Sequence, residues 1–406
     1  MKPAIRTPRL GRWRQTGAAL LAGTSMAALL VACGGGGDAA PTGGTATPMS
    51  YASGPISGLG SIIVGGVRFD DSAARVEDED GAAHAARALK LGMMVEVQAG
   101  SIDDSAARAS ASLIRFGSEM VGPVASINAA AQTLRVLDQT IEVKPTTVFE
   151  DGLAGFGAIL VGQVLEIHAQ FDASTGRYAA TRIETEAGAT AFRLRGLVSA
   201  LDLGAKTFRI GDAVINFAGV AAADLPAAFA DGQRVRVRLQ TAPVASQWVA
   251  TGVRTGVRRV DDIGDARLRG LVTAFTSAQQ FEVRGIAVDA SNASFEPNAA
   301  AVRLGALVEV RGRAVDGRIV ASRVKVRDER DDDLQRVELH GEVSALDTTA
   351  KTFMLREVKV DYSRVVEWKD GLPADLANGK KLEVKGVWSP DRRVLFAVSL
   401  SSRADA

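Results

Sequence analysis

Three histidines, one cysteine and two acidic runs are the side chains of this 406-residue sequence best suited to chemistry. His84, His168 and His340 can each ligate a metal or carry a proton, yet no second His or Cys lies near any of them. A zinc site needs clustered ligands, and a nucleophilic triad needs a base beside its Ser or Cys. Neither pattern is present, so His168 and His340 are expected to be hydrogen-bonded strand residues. The run Glu77 to Asp80, followed by Gly81, has a superficial calcium-loop look. An EF-hand loop closes with a Glu six residues after its Gly, and Leu89 lies near that place instead. A solvated turn is the expectation. Asp328, Glu329, Asp331, Asp332 and Asp333 are interleaved with Arg327 and Arg330, which offset much of their charge, and read as a solvated connector. The glycines open strands and turns rather than helices, so no phosphate cradle or dinucleotide fingerprint is visible. The sequence therefore predicts no catalytic residue, no metal site and no cofactor.

The elements that hold these residues come from a motif repeated five times. Each copy opens with Gly, one residue, then Val or Ile, at Gly54, Gly122, Gly196, Gly270 and Gly341, spaced 68, 74, 74 and 71 residues apart. A second glycine launches an alternating strand later in each copy: Gly92, Gly162, Gly232, Gly305 and Gly379. A fixed period of this kind means tandem copies of one structural unit. Within a copy, runs such as "RLRGLVTAF", "QQFEVRG", "IAVDAS", "ALVEVRGRAV" and "GRIVASRVKV" alternate apolar and polar residues, the mark of half-buried strands. Leu134, Phe208, Phe281 and Phe353 share an inward face with Val136, Ile210, Val283 and Leu355 on the second strand. Val67 and Phe69, Ile141 and Val143, Ile286 and Val288, and Val358 and Val360 do so on the third. Phe149, Phe217, Phe295 and Trp368 recur between third and fourth strands, where a barrel-end plug is expected. Arg182 and Arg323 on the fifth strand, and Arg195 and Arg269 before the opening glycine, face outward by alternation. They are suited to solubility and edge protection or to an anionic sugar or lipid phosphate.

Five strands with a short helix or loop between the third and fourth is the order of an OB barrel. The expected fold is all-β, a tandem array of five small five-stranded OB-like barrels. Their spans are 53–118, 119–190, 191–264, 265–335 and 336–402, behind a leader at 1–32 and a Gly/Thr/Pro-rich tether at 33–52. Units of about 70 residues lie near the lower limit of independent folding, so each is expected to lean on its neighbours.

The leader pairs five bases, Lys2 to Arg14, with an apolar stretch from Thr16 to Ala32, the plan of a secretory signal. "LVAC", Leu30 to Cys33, resembles the lipobox of bacterial lipoproteins, which implies that Cys33 becomes the lipidated N-terminus. Gly34 follows where Asp would mark inner-membrane retention, so the resemblance implies the outer membrane. A lone cysteine permits no disulfide framework. Of 48 basic and 47 acidic residues, the leader removes five bases and no acids, leaving 43 against 47, a net of −4. A mildly acidic chain lacks the basic footprint of a nucleic-acid binder.

The pattern "GxVSAL…TFxI…VxVD…GxxVEVxG…VASRV" resembles the bacterial repeats known as domain of unknown function 5666, over about residues 53 to 402. The resemblance is weakest in the first copy, where two strands compress into "ISGLGSIIVGG". That family implies an exported, commonly lipidated protein and brings no catalytic residues. The expected function is a non-enzymatic, lipid-anchored cell-envelope protein, periplasm-facing or surface-exposed, that binds or scaffolds an envelope protein through its repeats. The alternative is a protein binding an envelope polysaccharide or other polymer.

Overall fold

A computed structural model describes residues 50–402 apart from 151, 257–259, 329–335, 372 and 390–393. Cys33, the leader, nearly all of the tether, and Glu329, Asp331, Asp332 and Asp333 lie outside the described residues. Among those described the protein is all-β, and its helical pieces are single 3-10 turns such as Phe156–Ala158 and Ala299–Ala301. The first strand, Ser50–Leu59, begins three residues inside the segment expected to be tether.

The strands close into small barrels. In the second repeat, Met120–Asn128 pairs antiparallel with Thr133–Val136, which pairs antiparallel with Gln139–Phe149. Gln139–Phe149 runs parallel to Arg177–Thr185; that strand pairs with Val164–Asp172, which returns to the first. The circuit is thus 1-2-3-5-4-1, with only the third and fifth strands parallel. In the fourth repeat Ile263–Ser277, Gln280–Val283, Ile286–Asp289, Leu307–Val315 and Arg318–Arg327 follow the same circuit. The same order of pairings links strands in segments 50–116, 192–255 and 336–402.

The two glycine signals of the sequence are halves of one device. The N–H of the second glycine donates to the carbonyl two residues beyond the opening glycine, at 2.8 to 2.9 Å: Gly92 to Ile56, Gly162 to Val124, Gly232 to Val198, Gly305 to Val272 and Gly379 to Val343. That Ile or Val N–H answers with a 2.9 Å bond to the residue after the second glycine. The pair fastens the start of the fourth strand to the first. The second glycine can make the turn because its φ lies between +77° and +87° in every repeat, a region open to glycine at little cost.

The alternation places the core as expected. Leu134, Val136, Phe208, Ile210, Phe281, Val283, Phe353 and Leu355 are all buried, as are the third-strand pairs. Phe217 is a full plug, packed with Phe208 and Phe229 at ring separations of 5.4 to 5.7 Å. Phe149, Phe295 and Trp368 are only half-buried, because the chain there runs as a short strand beside the fifth, pairing Phe149 with Ile183, Phe295 with Val324 and Trp368 with Leu400.

The repeats are joined side to side rather than end to end. Ser50–Leu59 is buried along its whole length. Its start pairs parallel with Asp265 to Leu268 of the fourth repeat, and its end with Glu338 and Leu339 of the fifth. A strand covered on both faces has no polar face to present, which is why "SYASGPISGL" carries no charge and departs from the alternation of the other copies. Gly60 comes so close to the fifth repeat that a Cβ there would lie 2.2 Å from the Cβ of His340. Repeats one and five share one apolar cluster, repeats two and three another, and Tyr51 joins the cluster of repeat four.

Candidate functional site

Repeats one, two and five meet around a cleft of about 270 Å³. Leu91, Val148, Leu153 and Val358 give it an apolar lining, and two half-buried rings, Phe149 and Trp388, stand beside them. Phe149 is carried by the end of the second repeat's third strand, and Trp388 ends the fifth repeat's fourth strand, Lys381–Trp388. Four charged side chains complete the wall. Glu150 accepts the backbone N–H of Thr185 at 2.6 Å and the Thr185 hydroxyl. Glu357 accepts Lys90 Nζ at 2.5 Å. Arg182 is 2% exposed; its Nη1 donates to the Leu91 carbonyl at 3.1 Å and its Nη2 to Glu184 at 2.8 Å. Arg182 Nε and Trp388 Nε1 are buried without an acceptor. Lys359 stands exposed on Val358–Asp361 and makes no ion pair among the described residues.

A second cluster of chemistry-bearing residues is an ionic junction between repeats. The run Glu77 to Asp80 is not the solvated turn its composition suggests. Glu77 is 7% exposed and accepts Arg115 Nε at 3.1 Å, while Glu79 pairs with Arg195 and, at 2.8 Å, with Arg236 of the third repeat. Asp80 takes Arg236 at 2.6 Å, and buried Glu119 holds buried Arg234 at 2.8 Å. Arg284 donates to the Ser53 hydroxyl. Burial opposes the charge on both Arg195 and Arg284. For Arg195 it is outweighed by Glu119, Glu79 and Glu96, which hold its pKa above the ordinary value, whereas for Arg284 burial prevails and lowers it. Arg115, Arg195, Arg234, Arg236 and Arg284, with Arg75 on Glu77 and Arg254 on Asp80, face Glu77, Glu79, Asp80, Glu96 and Glu119, so cations from several repeats hold the acids and the junction is a joint between repeats.

Among the described residues one group has the geometry of a metal site: Glu338, His340 and Glu383, with ligand atoms within 4.8 Å of one another. Arg68 of the first repeat reaches into it, bonded to Glu338 and 2.6 Å from His340 Nε2, and Lys385 lies 3.1 Å from Glu383. Two cations thus balance the two carboxylates. Burial opposes ionisation of Glu338, but hydrogen bonds from His340 and Arg68 and the charges of Arg68 and Lys385 hold its pKa at about 2.

His168 and His340 do lie in strands, Val164–Asp172 and Arg336–Asp347. His168 donates Nδ1–H to the Gly117 carbonyl at 3.0 Å, and burial pushes its pKa down, against Glu166 and Glu184. His84 pairs with Asp78 at 3.0 Å and packs edge-on to Phe116. The four arginines diverge. Arg323 is exposed and bonded to Glu296, as its outward direction suggests. Arg182 and Arg269 are buried and Arg195 nearly so. Each points away from its own barrel as alternation requires, and each is covered by a neighbouring repeat. Sequence reasoning missed the cleft because its residues come from three repeats, and Trp388 and Lys359 carry no motif.

No curated protein matches the chain. A solved structure named "drosophila Unr CSD456" aligns at 13% identity over 50% of this chain and 96% of its own, with a TM-score of 0.16. At that score the likeness carries no structural argument. Residues 121–184, 269–325 and 340–400 match the family model described as Domain of unknown function (DUF5666), and they fall on the second, fourth and fifth repeats. The family match thus recurs three times along the chain, as tandem repeats of that domain of unknown function would give.

Proposed function

We propose that the protein is a non-enzymatic, lipid-anchored binding module of the cell envelope. In this proposal five OB-type barrels form one body behind a flexible tether on Cys33, and the working surface is the cleft between repeats one, two and five. The observation that carries it is the composition of that cleft: two half-buried rings, an apolar wall and charged groups converge from three repeats, the make-up of a ligand site rather than of a plain joint. A polymer binder must present rings to its ligand, a demand that the inward-facing aromatics of the strands do not meet. Phe149 and Trp388 answer it by standing half-buried at the cleft, so polymer binding is favoured over scaffolding along an extended row.

Two experiments test this. Changing Cys33→Ser is expected to move the protein from the membrane to the soluble fraction; continued membrane retention would remove the anchor. In-cell photocrosslinking of the full-length protein from position 359 is expected to capture an envelope component that crosslinking from exposed Leu203 does not. Equal capture from both positions would remove the cleft as working surface.

A further inference from the structure

We infer that the cleft takes an acidic saccharide unit, a sugar ring carrying a carboxylate such as a uronic acid, within an envelope polymer. This deepens the proposed function and rests on the cleft being the binding surface.

The inference comes from which hydrogen-bonding groups are already engaged. Each carboxylate is already engaged through one oxygen, Glu150 by Thr185 and Glu357 by Lys90. The side-chain donors of the cleft without a partner among the described residues are Lys359 Nζ, Trp388 Nε1 and Arg182 Nε. Of the two cationic side chains, Arg182 is already paired with Glu184, and Lys359 has no carboxylate partner among the described residues. A ligand that completes these donors brings acceptors, and a carboxylate on it meets the charge of Lys359. Buried donors left unpaired are costly, so an acceptor that reaches them is bound with more than surface affinity. The rings narrow the class further. Trp388 and Phe149 offer flat apolar faces to which the C–H face of a sugar is suited, and an inorganic anion would leave those faces unused. The volume, about 270 Å³, is at the small end of ligand pockets, which begin near 300 Å³. It suits one ring at a time, with the rest of a polymer continuing into solvent. The Trp388 and Arg182 nitrogens are closed to solvent, so seating the ring requires Trp388 to turn, and its N–H then meets the ligand carboxylate or a hydroxyl beside Lys359.

The test is calorimetric titration of the full-length protein in detergent with trigalacturonate, with maltotriose as the neutral counterpart. Saturable binding of trigalacturonate, weakened about tenfold by Lys359→Ala through loss of a charged hydrogen bond, is the expected result. Lys359 is exposed, so that variant folds as the parent does. Trp388→Phe, which keeps a ring and loses the N–H, is expected to weaken binding severalfold. Trigalacturonate binding unchanged by Lys359→Ala, or none at millimolar concentration, would overturn the acidic-sugar assignment. If maltotriose then binds in a Trp388-dependent way, the cleft survives as a binding surface. If neither saccharide binds and crosslinks from position 359 match those from Leu203, both the assignment and the cleft are lost.

Discussion

The second glycine of each repeat offers an internally controlled test of how the repeats are joined. Gly92, Gly162, Gly232 and Gly379 share φ between +79° and +87° and the same hydrogen bond to the first strand, so Ala at any of them meets the same backbone strain. That strain is about 1–2 kcal/mol for an L-residue in the left-handed region. It is offset by about 0.4–1 kcal/mol because Ala restricts the unfolded chain. At Gly162, Gly232 and Gly379 an added Cβ has nothing within 4 Å, so Ala should cost about 1 kcal/mol. At Gly92 the same Cβ lies 2.5 Å from the Thr181 carbonyl oxygen and 3.0 Å from the Cβ of Arg182, across the seam to the second repeat. Backbone must withdraw there, weakening the 3.1 Å bond from Arg182 to Leu91. Overpacking of this kind adds about 1–3 kcal/mol. Gly92→Ala is therefore expected to lose about 2–4 kcal/mol in total. Urea unfolding followed by far-ultraviolet circular dichroism measures it, with Gly379→Ala beside it. Equal midpoints for the two variants would refute the close seam between repeats one and two.

Glu119→Gln should cost about 3 kcal/mol, since it strands the guanidinium of buried Arg234, and Glu119→Leu with Arg234→Leu should recover most of it; urea midpoints of single and double variants check this. His168 is held neutral by burial, so the unfolded chain, with its ordinary value of 6.5, binds the proton first. Stability should therefore fall as pH drops below about 6.5, and His168→Asn should flatten that slope in thermal unfolding between pH 7 and pH 5.5. Glu338 has the opposite role: its lowered pKa contributes stability above its ordinary 4.5 that is lost as pH falls toward about 2. Glu338→Gln should reduce acid sensitivity in that lower window.

Period-two alternation made the barrel interiors legible, because Leu134, Phe208, Phe281 and Phe353 must face inward for any strand in that register to bury its apolar side. The paired glycines were legible as landmarks, although their mutual hydrogen bonds were not, since spacing says nothing of which loops touch. Alternation has a limit that the arginines expose. It tells which way Arg182, Arg195 and Arg269 point from their own barrel, and cannot tell that another barrel lies on that side. The same limit hid Glu77 and Glu79, whose acidic run reads as solvated until Arg115, Arg195 and Arg236 are brought against it. The first strand looked like a poor copy for a physical reason: contact with the fourth and fifth repeats replaced its polar face with Ser, Ala and Gly. Phe149 and Arg182 were visible as recurring residues, but the cleft that brings them together with Leu91, Lys359 and Trp388 across three repeats was not.

Side-to-side packing around the first strand is the claim on which the joints and the cleft both depend, and small-angle X-ray scattering of the leader-free Cys33→Ser protein tests it most directly. One compact body spanning residues 50–402 should have a radius of gyration of about 20 Å, plus a small contribution from the tether. Five barrels strung end to end would give about 40 Å, and a value in that range would contradict the shared seams and dissolve the cleft with them.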